Sequence, residues 1–259
     1  MLLQRFITAC LLIPLVLFGL FKAPPLVLLT VAALLLAGCG WEFQQLIPCP
    51  KPPLRFLYVA SLFLSTWLAT LFFPFYLTVG LFLWGGLCVV IYSFPASLVY
   101  WGHPAYLSLF GWVLLPLSGL CLIHLYTLHH GAWLILYLLL LIWASDTGAY
   151  FAGKTLGKHK LIPAVSPGKT REGLLGGLLL AGLVMYVAYF FIQPTHLNKF
   201  IAQAVLTVMA GVMGDLSISL FKRRMHCKDT GQLLPGHGGL LDRLDSLIAA
   251  APVFYALQI

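Results

Sequence analysis

Seven carboxylates are all the acidic residues in a chain of 259: Glu42, Asp146, Glu172, Asp215, Asp229, Asp242 and Asp245. Four of them, Asp146, Asp215, Asp242 and Asp245, fall near the ends of long apolar segments. A carboxylate there is costly unless it faces a polar cavity, a cation or a partner, so each marks a candidate functional site. Asp242 and Asp245 are three apart and share one helix face. Two runs rich in cations and small residues lie between these carboxylates. The first is Gly153-Lys154-Thr155-Leu156-Gly157-Lys158, continued by Ser166-Pro167-Gly168-Lys169-Thr170-Arg171-Glu172-Gly173. The second is Lys222-Arg223-Arg224, then Lys228-Asp229-Thr230-Gly231, then Pro235-Gly236-His237-Gly238-Gly239. Glycine lets backbone amides approach a phosphate, while lysine and arginine supply the charge. Gly173 opens a helix whose first amides favour an anion. Carboxylates that can hold a divalent cation, beside groups that can hold phosphates, suit phosphoryl or nucleotidyl transfer. The plainer alternative pairs the carboxylates with Lys222, Arg223 or Arg243 and leaves the basic loops to fix topology and touch lipid headgroups.

Other motifs carry less. Gly168-Lys169-Thr170 resembles the end of a phosphate-binding P-loop, but the position that needs the first glycine is Pro163 and no strand leads into it. Gly173-Leu174-Leu175-Gly176-Gly177 fits close helix packing through small residues. His129-His130 and His226-Cys227 read as polar loop residues, whereas His237, held between Gly236 and Gly238 near carboxylates, is a candidate functional histidine. The six cysteines form no CxxC pair, and those in apolar runs read as small core residues, so neither a zinc site nor a disulfide framework is indicated.

The elements that position these residues are membrane helices. The chain is 61% hydrophobic and 8% charged, with a mean hydropathy of +0.98, far from the roughly 25% charged residues of a soluble domain. The apolar runs do not alternate, which excludes a β-barrel and leaves an all-α, polytopic membrane protein. Nine spans can be drawn: 7–21, 26–41, 56–73, 77–94, 106–126, 132–150, 173–192, 200–220 and 240–257. No small-x-small cleavage site follows the first, so it is expected to be a retained helix. With the N-terminus in the cytoplasm, thirteen of the fifteen lysines and arginines fall on the inner side and only Lys22 and Lys199 on the outer. Residues 1–131 then read as a scaffold of transmembrane helices facing lipid and a dimer partner. Residues 132–259 read as a catalytic region with two cytoplasmic basic loops. The net charge of +8 belongs to those loops, and basic patches interleaved with aromatics for nucleic acid are not evident.

The run Ser219-x-x-Lys222-Arg223, then Lys228-Asp229-x-Gly231-x-x-Leu234-Pro235-x-His237-Gly238-Gly239-Leu240-x-Asp242-Arg243-Leu244-Asp245 resembles the signature of the phosphatidate cytidylyltransferase (CDP-diacylglycerol synthase) family. Ser145-Asp146-Thr147-Gly148-Ala149-Tyr150, Ser166-Pro167-Gly168-Lys169-Thr170 and Gly214-Asp215-Leu216-Ser217 also look like that family. The clear resemblance covers the C-terminal half; upstream it extends only to hydropathy and to Trp41-Glu42. It implies that CTP and phosphatidic acid give CDP-diacylglycerol and pyrophosphate, with Mg²⁺, a second cation staying open. It implies a homodimer in the inner (plasma) membrane, with the site facing the cytoplasm.

On that resemblance Asp215 and Asp242 carry the metal. Lys222, Arg223 and Lys228 clamp phosphate oxygens and stabilise departing pyrophosphate. Ser166, Lys169 and Thr170 hold nucleotide phosphates, and Glu172 orients Lys169. Asp146 is a further ligand or stands behind the ligands. Asp245 and His237 join the catalytic set, while Ser219, Asp229 and Arg243 are candidates for substrate binding. Two rivals stay open: a cation-coupled transporter, whose carboxylates should lie at mid-membrane within inverted repeats, and a CTP-dependent enzyme acting on another lipid phosphate.

Overall fold

The computed structural model describes residues 13–48, 52–233 and 238–259. Helix α1 is described over Ile13–Lys22. It is followed by α2 (Pro25–Phe43), which ends in a 3₁₀ turn at Gln44–Leu46, then α3 (Pro52–Leu71), α4 (Phe73–Tyr92), the short α5 (Leu98–Trp101) and α6 (Pro104–Thr127). The second half holds α7 (Gly131–Leu156), a hairpin of β1 (Lys160–Ile162) and β2 (Ser166–Thr170), α8 (Arg171–Ile192), α9 (Leu197–Arg224) and α10 (Leu241–Gln258). Proline opens α2, α4 and α6, where its missing N–H breaks no helical hydrogen bond.

Each segment drawn from hydropathy coincides with a helix, the start of the first lying outside the described residues. Among the described residues, seven helices are long and apolar enough to cross a membrane. Large apolar side chains such as Phe82, Val99, Leu179 and Phe191 project outward, as a lipid solvent allows. This is a multi-pass membrane protein.

Helix α10 is not one of those seven. It opens with Asp242, Arg243 and Asp245, and it lies inside the bundle against α2, α4, α6, α7 and α9. Ala249, Ala250 and Ala251 are at most 1% exposed. Of its three charges Asp245 is buried among these neighbours, Asp242 is half-buried and Arg243 is exposed. Its neighbours come from both sides of residue 131, and α6, from the middle of the chain, buries Leu107, Leu117, Cys121 and Leu125 completely.

Small residues bring the site-bearing helices together. Along α7 and α8, Gly148 faces the backbone of Gly176, and a Cβ on Gly177 would lie 2.7 Å from the Ser145 carbonyl oxygen. The glycines after Thr170 thus make a helix seam, as expected from their spacing. Between α9 and α10, Gly214 faces the Asp245 carbonyl oxygen, and a Cβ there would lie 2.9 Å from that of Ala249. The first basic loop is more ordered than the sequence suggests. β1 and β2 pair antiparallel, Lys160 with Thr170 and Ile162 with Ser166, and fully buried Val165 pins the turn between them. Glycine, proline and lysine in this stretch conceal a strand of only five residues from any periodicity argument.

Candidate active site

On α9, Asp215, Ser219 and Lys222 recur at helical spacing and present one polar stripe. Ser219 Oγ donates to Asp215 Oδ1 at 3.3 Å. Lys169, delivered by β2, places Nζ 2.8 Å from Asp215 Oδ2 and also donates to the Val212 carbonyl at 3.4 Å. Lys222 Nζ lies 2.6 Å from Asp242 Oδ1, in the first turn of α10. The other oxygen of Asp242, Oδ2, accepts from Thr230 N at 2.9 Å and from Gly239 N at 3.3 Å, and lies 3.0 Å from Thr230 Oγ1. Gly238, with φ of 84°, supplies the left-handed turn that brings this segment back over the start of α10. One turn along α10, buried Asp245 accepts from Ser246 N at 2.7 Å.

These groups converge on one cavity of about 730 Å³. Its walls include Asp146 from α7, Lys169 and Thr170 from β2, Gly173 from α8, Asp215 and Lys222 from α9, and Asp242, Arg243 and Asp245 from α10. Asp146, Asp215 and Asp245 lie within one another's electrostatic reach, with Lys169 among them. Thr170 caps α8, its Oγ1 accepting from Gly173 N at 3.1 Å, so the start of that helix is held at the cavity wall. The arrangement provides carboxylate oxygens for a hard cation, and ammonium groups and a helix N-terminus for phosphate.

The structure therefore gathers Asp146, Lys169, Thr170, Asp215, Lys222, Asp242, Arg243 and Asp245 around one space. Ser219 stands beside them on Asp215, and several other candidates lie elsewhere. Glu172 does not orient Lys169: it accepts from the backbone N–H of His159 at 3.2 Å and pairs with Nδ1 of that ring at 2.6 Å, while Lys169 goes to Asp215. Arg223 donates through Nε to the Val165 carbonyl at 3.1 Å and ties the end of α9 to the hairpin turn. Ser166 is taken up in strand pairing with Ile162. Lys228 and Asp229 line a second cavity, of about 590 Å³, together with Trp41, Glu42 and Gln45. His237 lies outside the described residues. Cys39 and Cys121 are buried, as small core residues should be, whereas Cys88 is exposed on α4. The Cys227 thiol is pushed above its ordinary pKa, chiefly by burial, which disfavours a reactive thiolate.

Two contributors escaped the sequence reading. Lys154, on the last turns of α7, lines the main cavity beside Asp146; its membership of the first basic run was the available signal. Glu42, fully buried at the end of α2, accepts from Leu241 N at 2.8 Å and Thr230 Oγ1 at 3.1 Å. Its signal was its isolation, as the one acidic residue before Asp146.

Residues 3–259 match the model of the cytidylyltransferase family. The phosphatidate cytidylyltransferase of Haemophilus influenzae is 37% identical over 287 residues, spanning 98% of this chain and 97% of the relative. That of Pseudomonas aeruginosa is 39% identical over 271 residues, spanning 99% and 97%. The Staphylococcus haemolyticus phosphatidate cytidylyltransferase is 45% identical over 131 residues, half of each chain.

Proposed function

The chain belongs to the cytidylyltransferase family, and from that premise we propose that it transfers CMP from CTP to phosphatidate, giving CDP-diacylglycerol and pyrophosphate. The observation that carries the reading is the single cavity in which carboxylates from α7, α9 and α10 meet Lys169, Lys222 and the start of α8 inside an apolar bundle. Such a space accepts a triphosphate from water while the tails of a lipid phosphate stay among the helices. The cation-coupled transporter, kept open by the sequence, loses its ground with the family assignment.

The nucleophile is an ionised phosphate oxygen of phosphatidate. It attacks the α-phosphorus of CTP; the new P–O bond forms as the bond from that phosphorus to the bridging oxygen breaks, and pyrophosphate leaves with the electron pair. An oxygen already ionised near neutral pH needs no general base, and lysines, Arg243 and carboxylates are the charged groups that the described residues bring to the cavity. The obstacle is the approach of two anions. Lys169 and Lys222 lower that repulsion by turning from their carboxylates toward phosphate oxygens, and Arg243, Lys154 and the α8 amides stand on the same wall.

The family resemblance implies Mg²⁺, and the residues fit it. Among the described residues no three His, Cys, Asp or Glu side chains make a ready ligand group. Asp215 and Asp242 nevertheless each direct one oxygen to a lysine, and Asp146 and Asp245 share the cavity. Transfer of the two lysines to phosphate leaves Asp215 Oδ2 and Asp242 Oδ1 as hard oxygen donors. Mg²⁺ held there would neutralise charge on the triphosphate. A homodimer, and a site open to the cytoplasm of the inner membrane, complete the proposal; the distribution of basic residues supports that orientation.

Purified protein given CTP labelled in the cytidine, Mg²⁺ and phosphatidate in mixed micelles tests the reading. Label should pass into chloroform-soluble lipid only when phosphatidate is present. Folded protein that leaves all label in the aqueous phase refutes it.

A further inference from the structure

Glu42 is a carboxylate where the lipid-facing half of the chain has least reason to keep one. It is 0% exposed, and among the described residues its Oε1 has no hydrogen-bond partner. Burying such a group is costly unless hydrogen bonds or a paired charge offset the loss of water. Both of the hydrogen bonds to its other oxygen come from the segment around the start of α10. Oε2 accepts from Leu241 N at 2.8 Å and from Thr230 Oγ1 at 3.1 Å. The same Thr230 hydroxyl lies 3.0 Å from Asp242 Oδ2, and Thr230 N donates to that oxygen at 2.9 Å. Glu42, Thr230 and Asp242 therefore stand in a row, with one hydroxyl between two carboxylates.

The row is tightly enclosed. A Cβ on Gly231 would lie 2.5 Å from Glu42 Oε1, and one on Gly239 would lie 2.6 Å from Oε2. Both glycines leave room for the carboxylate to reach across from α2. The consequence falls on Asp242: its Oδ2 is held at the back by Thr230 and Gly239, and its Oδ1 is left facing Lys222 at the cavity.

We propose that Glu42 is a positioning residue for the transfer reaction, acting through Thr230 to fix which oxygen Asp242 presents to the substrates. The inference rests on the function proposed above. Through it α2, from the half of the chain without other acidic residues, takes part in shaping the site.

The full-length protein in detergent, assayed for CDP-diacylglycerol with both substrates varied, tests this. Thr230→Val and Glu42→Met remove the hydroxyl and the acceptor with little change in volume. Each should lower kcat about 10- to 100-fold, the usual effect of losing a group that orients a ligand, with KM for both substrates unchanged. Thr230→Ser and Glu42→Gln, which keep a hydroxyl and an acceptor, should recover most of that loss. The double variant Glu42→Met/Thr230→Val should be no slower than the slower single, because both act along one chain. Wild-type kcat in either apolar variant overturns the inference. So do conservative variants no better than the apolar ones, or losses that multiply in the double. Wild-type protein that makes no CDP-diacylglycerol refutes the underlying reading instead, and the inference with it.

Discussion

Lys169 Nζ lies 2.8 Å from Asp215 Oδ2, joining the five-residue strand β2 to the first residue of the polar stripe on α9. The bond sets the hairpin over the cavity and holds a cation among three carboxylates. Lys169→Met removes the charge with the shape kept. We expect kcat/KM for CTP to fall at least ~100-fold, the scale of losing one key electrostatic group, in steady-state assays of lipid product.

Asp215→Asn and Asp242→Asn probe the other half of each pair. Both should lower kcat by at least ~100-fold. Asp242→Asn also weakens the acceptor that gathers Thr230 and Gly239, so limited proteolysis should cut the segment before α10 faster in that variant than in Asp215→Asn. Wild-type turnover in either variant excludes that residue from the metal site.

Chelation gives an independent reading of the same assignment. EDTA should abolish lipid product, and added Mg²⁺ should restore it. In Asp215→Asn the Mg²⁺ concentration needed for half-maximal activity should rise, as expected when a cation loses one of its oxygen ligands; an unchanged requirement places the cation elsewhere.

Glu172 separates neighbours in sequence from neighbours in function. Its contacts are to His159, on the exposed side of the hairpin, and not to Lys169. Glu172→Gln is expected to leave KM for CTP unchanged. A large rise in KM would show that the hairpin rearranges when nucleotide binds.

The helix seam should be intolerant of bulk. A Cβ on Gly177 would already lie 2.7 Å from the Ser145 carbonyl oxygen. Gly177→Val overpacks α7 against α8 and should destabilise the protein by roughly 1–3 kcal/mol, read as a lower Tm in detergent. Gly182, with nothing near its Cβ position, is the control: Gly182→Ala should leave Tm unchanged or raise it.

The membrane helices and the cluster of Asp146, Asp215, Asp242 and Asp245 were legible in the sequence because each leaves a strong local mark: long apolar runs, and charges placed where lipid forbids them. What was not legible depends on contacts between distant segments. Nothing in Gly168-Lys169-Thr170 says that the lysine turns to α9 rather than to the nearby Glu172. Thr230 and Glu42 are 188 residues apart, and no spacing rule links them. The burial of α10 was hidden for another reason. The apolar run 240–257 reads as one more span, whereas only packing reveals that Asp245 is buried among the helices around it.

The most direct test uses two samples of CTP, one labelled at the α-phosphorus and one at the γ-phosphorus, each given to purified protein with phosphatidate and Mg²⁺. The α-label is expected to enter chloroform-soluble lipid while the γ-label leaves as pyrophosphate. Label from the γ-position in the lipid, or from neither in protein shown to be folded, would contradict the proposed transfer.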